Sequence, residues 1–105
     1  MINLLSTDDA AHLAAAKHVL RALDHPLRQR ILQFLKQHPG AVVTEVFTAL
    51  RLEQSVASQH LRILRTAGLV SKRRNGKFIH YSVNDVVIDT VIKRAEALQA
   101  ATAAA

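Results

Sequence analysis

Apolar residues recur along this chain at two periods, and the change of period locates its parts. Leu13, Ala16, Val19, Leu20 and Leu23 fall on one face of a helix over about residues 7–22. Ser6, Thr7, Asp8 and Asp9 provide its start, with a capping hydroxyl and acids where the helix dipole favours them. Asp24, His25 and Pro26 break that helix and begin a second, proline being tolerated at a first helical position. Leu27, Ile31, Leu32, Phe34 and Leu35 form its apolar stripe, and His38-Pro39-Gly40 stops it. Ala41 to Val43 is expected to be extended at most briefly before Thr44 caps a short third helix running to about Leu50. A tight turn at Arg51 and Leu52 leads to a fourth helix over 54–67, ended by Gly68 as a left-handed cap.

The period then shortens to two. Val70 to Arg74 and Lys77 to Val83 alternate in polarity around Asn75-Gly76, a dipeptide that suits a two-residue type I′ hairpin. Asn84 and Asp85 begin a fifth helix, whose Val87, Ile88, Val91, Ile92, Ala95 and Leu98 spread over a wide arc. The order of helix, helix, helix, helix, hairpin, helix predicts a mainly α fold with a small β-hairpin: a winged helix-turn-helix whose third and fourth helices form the motif. Residues 1–105 make one domain, with 101–105 expected to fray. An arc as broad as that of the fifth helix must bury more than one side, and the first helix offers a matching surface through Leu4, Leu5, Leu13 and Leu20. Residues 1–22 and 84–100 are therefore expected to be dimerisation helices of a homodimer.

Charge adds a function to this outline. Between Arg51 and His80 stand seven cations, Arg51, Arg62, Arg65, Lys72, Arg73, Arg74 and Lys77, against the single carboxylate of Glu53. That segment carries the whole net charge of +6, because the remaining acids and bases cancel. So local an excess is the footprint of a polyanion. Aromatics are only 4% of the chain, which disfavours stacking on single-stranded or RNA bases and leaves double-stranded DNA as the expected partner. On the fourth helix, Val56, Ala57, His60, Leu61, Ile63, Leu64 and Ala67 share one side, leaving Ser55, Ser58, Gln59, Arg62, Arg65 and Thr66 outward with no acid among them. Gln54, Ser55, Ser58 and Gln59 carry the hydrogen-bonding groups that suit base edges, while Arg62 and Arg65 lie further along, where phosphates are met. Polar helix faces are usually only solvated, and hairpins carry lysines to discourage edge pairing; the two features side by side make that bland reading the weaker one.

The stretches ALDHPLRQRILQFL and VTEVFTALRLEQSVASQHLRILRTAGLVSKRRNGKFIHYSV resemble the winged helix-turn-helix domain of the ArsR/SmtB family of bacterial transcriptional repressors. The likeness spans roughly residues 19–84 and is most specific from Gln54 to Tyr81. It implies a homodimer built on the first and last helices, which binds an imperfect inverted repeat in promoter DNA and releases it to an inducer. It also implies major-groove contacts at Gln54, Ser55, Ser58 and Gln59, and wing contacts to the backbone or minor groove at Arg73, Arg74, Asn75 and Lys77. Two positions depart from the family pattern: Arg51 stands where glycine is common in the turn, and Glu53 replaces a Ser or Thr cap.

The family's metal sites are not expected here. There is no cysteine for the pair near the third helix, and 85–101 contains no histidine, so Asp85 has Val87, Leu98 and Ala101 where its fellow ligands would stand. Asp8 and His12 are one turn apart, but two ligands do not make a site. His25 reads as a helix cap and His60 as an inward packing residue; His18 and His38 look like surface positions, and His80 is left between a phosphate contact and the sheet surface. No metal, cofactor or inducer is assigned. Without a glycine-rich phosphate loop, an HExxH pair, a nucleophile elbow or a thiol, an enzyme is not expected either. MINLLSTDDAAHL lacks a basic signal-peptide start and no run of eighteen apolar residues occurs, so the expected location is cytoplasmic, with no membrane partner. The alternative function is a nonspecific architectural DNA binder.

Overall fold

The computed structural model describes residues 5–104. Five helices and a small sheet follow one another as α1 (Thr7–Leu23), α2 (Pro26–Gln37), β1 (Ala41–Val42), α3 (Val43–Leu50), α4 (Gln54–Thr66), β2 (Val70–Asn75), β3 (Phe78–Val83) and α5 (Asp85–Ala104). The start of α1 is a reciprocal capping box: Asp9 N–H donates to Ser6 Oγ at 3.0 Å, and Ser6 N–H to an Asp9 carboxylate oxygen at 3.3 Å. His25 caps α2 as expected, its Nδ1 accepting from the N–H groups of Leu27 and Arg28 at 3.1 and 3.4 Å, with Pro26 at the first helical position.

Ile31, Leu35, Val46, Leu61, Leu64 and Leu69 are fully buried, contributed by α2, α3, α4 and the turn after α4. Each removes about 1.5–3 kcal/mol worth of apolar surface from water, and together they set α4 against α2 and α3. Asn84 ties the start of α5 to the end of α4: its side-chain amide donates to Gly68 O at 3.2 Å and its backbone N–H to Leu69 O at 2.9 Å. Gly68 itself turns the chain at φ +80°.

Three expectations are corrected. First, the brief extension at Ala41 and Val42 is as expected, but it pairs with Tyr81 and His80, so the expected two-stranded hairpin is part of a three-stranded antiparallel sheet ordered β1-β3-β2. Helix α3 therefore begins at Val43 without a Thr44 cap, and a Glu45 carboxylate oxygen accepts from Val42 N–H at 3.1 Å. Second, the hairpin pairs Asn75 with Phe78 and Arg74 with Ile79, so its central residues are Gly76 and Lys77. Positive φ occurs at Gly76 (+63°) but not at Asn75 or Lys77. That sign pattern is a II′ turn with glycine first, whereas I′ needs both central residues left-handed. Third, α5 remains helical to Ala104, past the expected fraying point, and Thr102 Oγ1 donates back to Leu98 O and Gln99 O. Alanine, the best helix former, dominates that tail.

The ends of the chain contribute little to this core. No residue of α5 is fully buried; Val87, Ile88 and Val91 are half-buried, and everything from Ile92 to Ala104 is exposed. Leu5, Leu13 and Leu20 around α1 are also exposed, at 54%, 55% and 48%. Leu4, expected on the same surface, lies outside the described residues. No helix among the described residues is long and apolar enough to cross a membrane.

Candidate nucleic-acid interface

The division of α4 into two faces is as the spacing predicts. Ala57, Leu61 and Leu64 are buried and Val56, His60 and Ile63 half-buried, while Gln54, Ser55, Ser58, Gln59, Arg62, Arg65 and Thr66 are all exposed. The exposed face offers two amides, two hydroxyls near the helix start and two guanidinium groups further on. At that start Glu53 occupies the cap position, yet its carboxylate makes no capping hydrogen bond. The first amides of α4 thus remain available to an acceptor, at the positive end of the helix dipole.

What holds α4 in place was missed in the sequence. Arg28 on α2 donates from Nε to Ala22 O at 2.6 Å and from Nη2 to Arg21 O at 3.0 Å, closing the C-terminal turn of α1. Its Nη1 lies 3.3 Å from His60 Nδ1 on α4, and the rings of His25 and His60 pack at 4.9 Å. One guanidinium thereby joins three helices. His60 is held below the usual imidazole range, by burial first and then by His25 and Arg28. A signal for Arg28 existed: a cation in the first turn of a helix opposes the dipole, so its side chain is expected to have partners elsewhere.

Helix α4 passes into the wing through the short turn at Ala67, Gly68 and Leu69. The register divides the wing residues between two faces. Arg73 and Asn75 share the outward face with Ser71, Phe78, His80 and Ser82, whereas Lys72 and Arg74 stand on the core-side face beyond Val70, Tyr81 and Val83. Arg73, Arg74, Asn75 and Lys77 are all exposed. Arg74 Nε donates to Gly76 O at 3.1 Å, curling over the turn, and Lys77 Nζ sits 5.6 Å from the centre of the Phe78 ring. His80 takes the sheet-surface role, its Nδ1 2.7 Å from Gly40 O. The ten expected contact residues thus form two exposed groups, six on α4 and four at the wing tip, with no carboxylate in either. Among the described residues, no three His, Asp or Glu side chains come together.

Proteins similar to this chain include transcriptional regulators and a DNA-binding domain. The sequence profile described as bacterial regulatory protein, arsR family, matches residues 25–72. The transcriptional repressor PagR of Bacillus anthracis is 36% identical over 99 residues, spanning 93% of this chain and 92% of PagR. The crystal structure of NolR from Sinorhizobium fredii superposes with a TM-score of 0.73 at 34% identity, covering 92% of this chain and 93% of NolR. The homodimeric winged helix-turn-helix DNA-binding domain of Mb0332 from Mycobacterium bovis also gives a TM-score of 0.73, at 28% identity over 96% of this chain and 90% of that domain.

Proposed function

The chain belongs to the arsR family of bacterial regulatory proteins, as a DNA-binding transcriptional regulator rather than an enzyme, and we propose that it acts as a homodimeric repressor on an inverted-repeat operator. In this reading α4 enters the major groove, where Gln54, Ser55, Ser58 and Gln59 meet base edges, a glutamine being able to pair in bidentate fashion with adenine. Arg62 and Arg65 meet phosphate oxygens, which position the helix without reading sequence. Arg73, Arg74, Asn75 and Lys77 bring the wing to the backbone or the minor groove.

The observation that carries the reading is the acid-free, exposed face of α4 leading through one short turn into a cationic hairpin. Pairing is assigned to segments 1–22 and 84–100, supported by the exposed leucines of α1 and α5 and by the homodimeric form of the Mb0332 domain. A twofold pair presents two reading helices to two half-sites, hence the inverted repeat.

Selection of bound duplexes from a random pool, followed by footprinting, tests the proposal. An inverted repeat should emerge, with log K falling against log salt by about 0.9 for each phosphate neutralised. Ser58→Ala with Gln59→Ala should then weaken binding to the selected site by about 1–3 kcal/mol for each base edge no longer read, while leaving affinity for random duplex nearly unchanged. Equal wild-type affinity for all duplexes would point instead to an architectural DNA binder.

A further inference from the structure

Four described backbone positions have positive φ. Three are glycines, Gly40, Gly68 and Gly76, and the fourth is Arg51, at φ +55° and ψ +49°. An L side chain in that region crowds its Cβ against the following carbonyl, which is why glycine takes such positions. Among the described residues, glycine takes every position of positive φ except the joint between α3 and α4. The turn is fixed on both sides: Arg51 N–H donates to Thr48 O at 3.3 Å, Leu52 N–H to Phe47 O at 2.8 Å, and Leu52 packs against the core. A strained residue in a fixed turn is retained where its side chain has a use.

The guanidinium of Arg28 is taken up by three internal acceptors, whereas the Arg51 side chain is exposed. Arg51 leaves the turn three residues before Gln54, beside the start of α4, where the helix amides lack a side-chain cap. The planar fork of arginine matches two phosphate oxygens. We infer that Arg51 is a DNA phosphate contact, held in place of glycine for its guanidinium, and that it sets the register of α4 in the groove rather than reading a base. The inference rests on the DNA-binding function proposed above.

Three variants test it on a duplex chosen by the wild-type protein from a random pool. Arg51→Gly relieves the strain and should raise the unfolding temperature by about 4–8 °C. It should nonetheless weaken binding about tenfold for each half-site near 0.1 M salt and make the salt slope of the dimer shallower by about 1.8, roughly 0.9 for each of its two Arg51 side chains. Arg51→Asn tolerates the left-handed backbone without the charge, and should show the same loss of slope. Arg51→Lys should keep the wild-type slope with intermediate affinity. Wild-type affinity and slope in both the Gly and the Asn variants would overturn the inference while leaving the function intact. Absence of salt-dependent duplex binding by the wild-type protein would overturn both.

Discussion

Arg28 and His60 set the position of α4 through a contact that spans 32 residues of sequence. Truncating Arg28 to Ala leaves the carbonyls of Arg21 and Ala22 and the Nδ1 of His60 without their donor, which should lower stability by about 1–3 kcal/mol, read as a shifted urea midpoint at constant slope. His60 adds a pH dependence of known sign. Its proton affinity is lowered in the folded protein, so the unfolded chain binds the proton more readily. Stability is therefore complete above the ordinary imidazole value of 6.5, falls as the pH drops through it, and levels off below the folded value. His60→Gln should remove this part of the slope, so the urea midpoint of the wild type should fall relative to that of the variant as the pH is lowered from about 7.5 to 5.5. The inward direction of His60 was legible from helical spacing alone. Its partner was not, because spacing within one helix says nothing of a side chain arriving from another.

Helices α1, α2 and α4 were legible to within a residue or two at each end, since apolar period and caps are local signals. So was the outward face of α4. The pairing of strand β1 escaped because two residues carry no period of their own, and what makes them a strand is Tyr81 and His80, some forty positions later. The hairpin was legible as a hairpin, but its turn was misplaced by one residue: Asn75-Gly76 is compatible with I′, and Gly76-Lys77 equally with II′. Mutation separates the two. In the observed turn Asn75 has negative φ, so Asn75→Ala should leave stability nearly unchanged, whereas Gly76→Ala forces a β-carbon into φ +63° and should cost about 1 kcal/mol. Thermal unfolding of the two variants decides the matter, and a costly Asn75→Ala would restore the I′ assignment. The observed register also has a consequence for binding to DNA. Lys77 stands within the turn itself while Arg73 and Arg74 point to opposite faces, so the wing presents charge on both flanks of its tip.

The protomer measures 55 × 27 × 23 Å, long for its size because α5 extends beyond the core. Twenty residues of helix run about 30 Å, and from Ile92 to Ala104 none is buried within the protomer. With Ile92 at 47% and Leu98 at 67% exposure, this is the surface on which the proposed pairing depends. Ile92→Lys combined with Leu98→Lys should yield a monomer by analytical ultracentrifugation, with the helical core still folded and tight operator binding abolished. A double variant that sediments as a dimer would move the pairing surface elsewhere. The proposed pairing would tie gene control to abundance. A helix sheltered only by another copy makes the active species bimolecular, so in dilute protein the number of competent pairs grows with the square of the protomer concentration. Promoter occupancy would then follow expression level more steeply than proportion, and dilution of the pool as the cell grows would loosen the grip on DNA without any small-molecule signal.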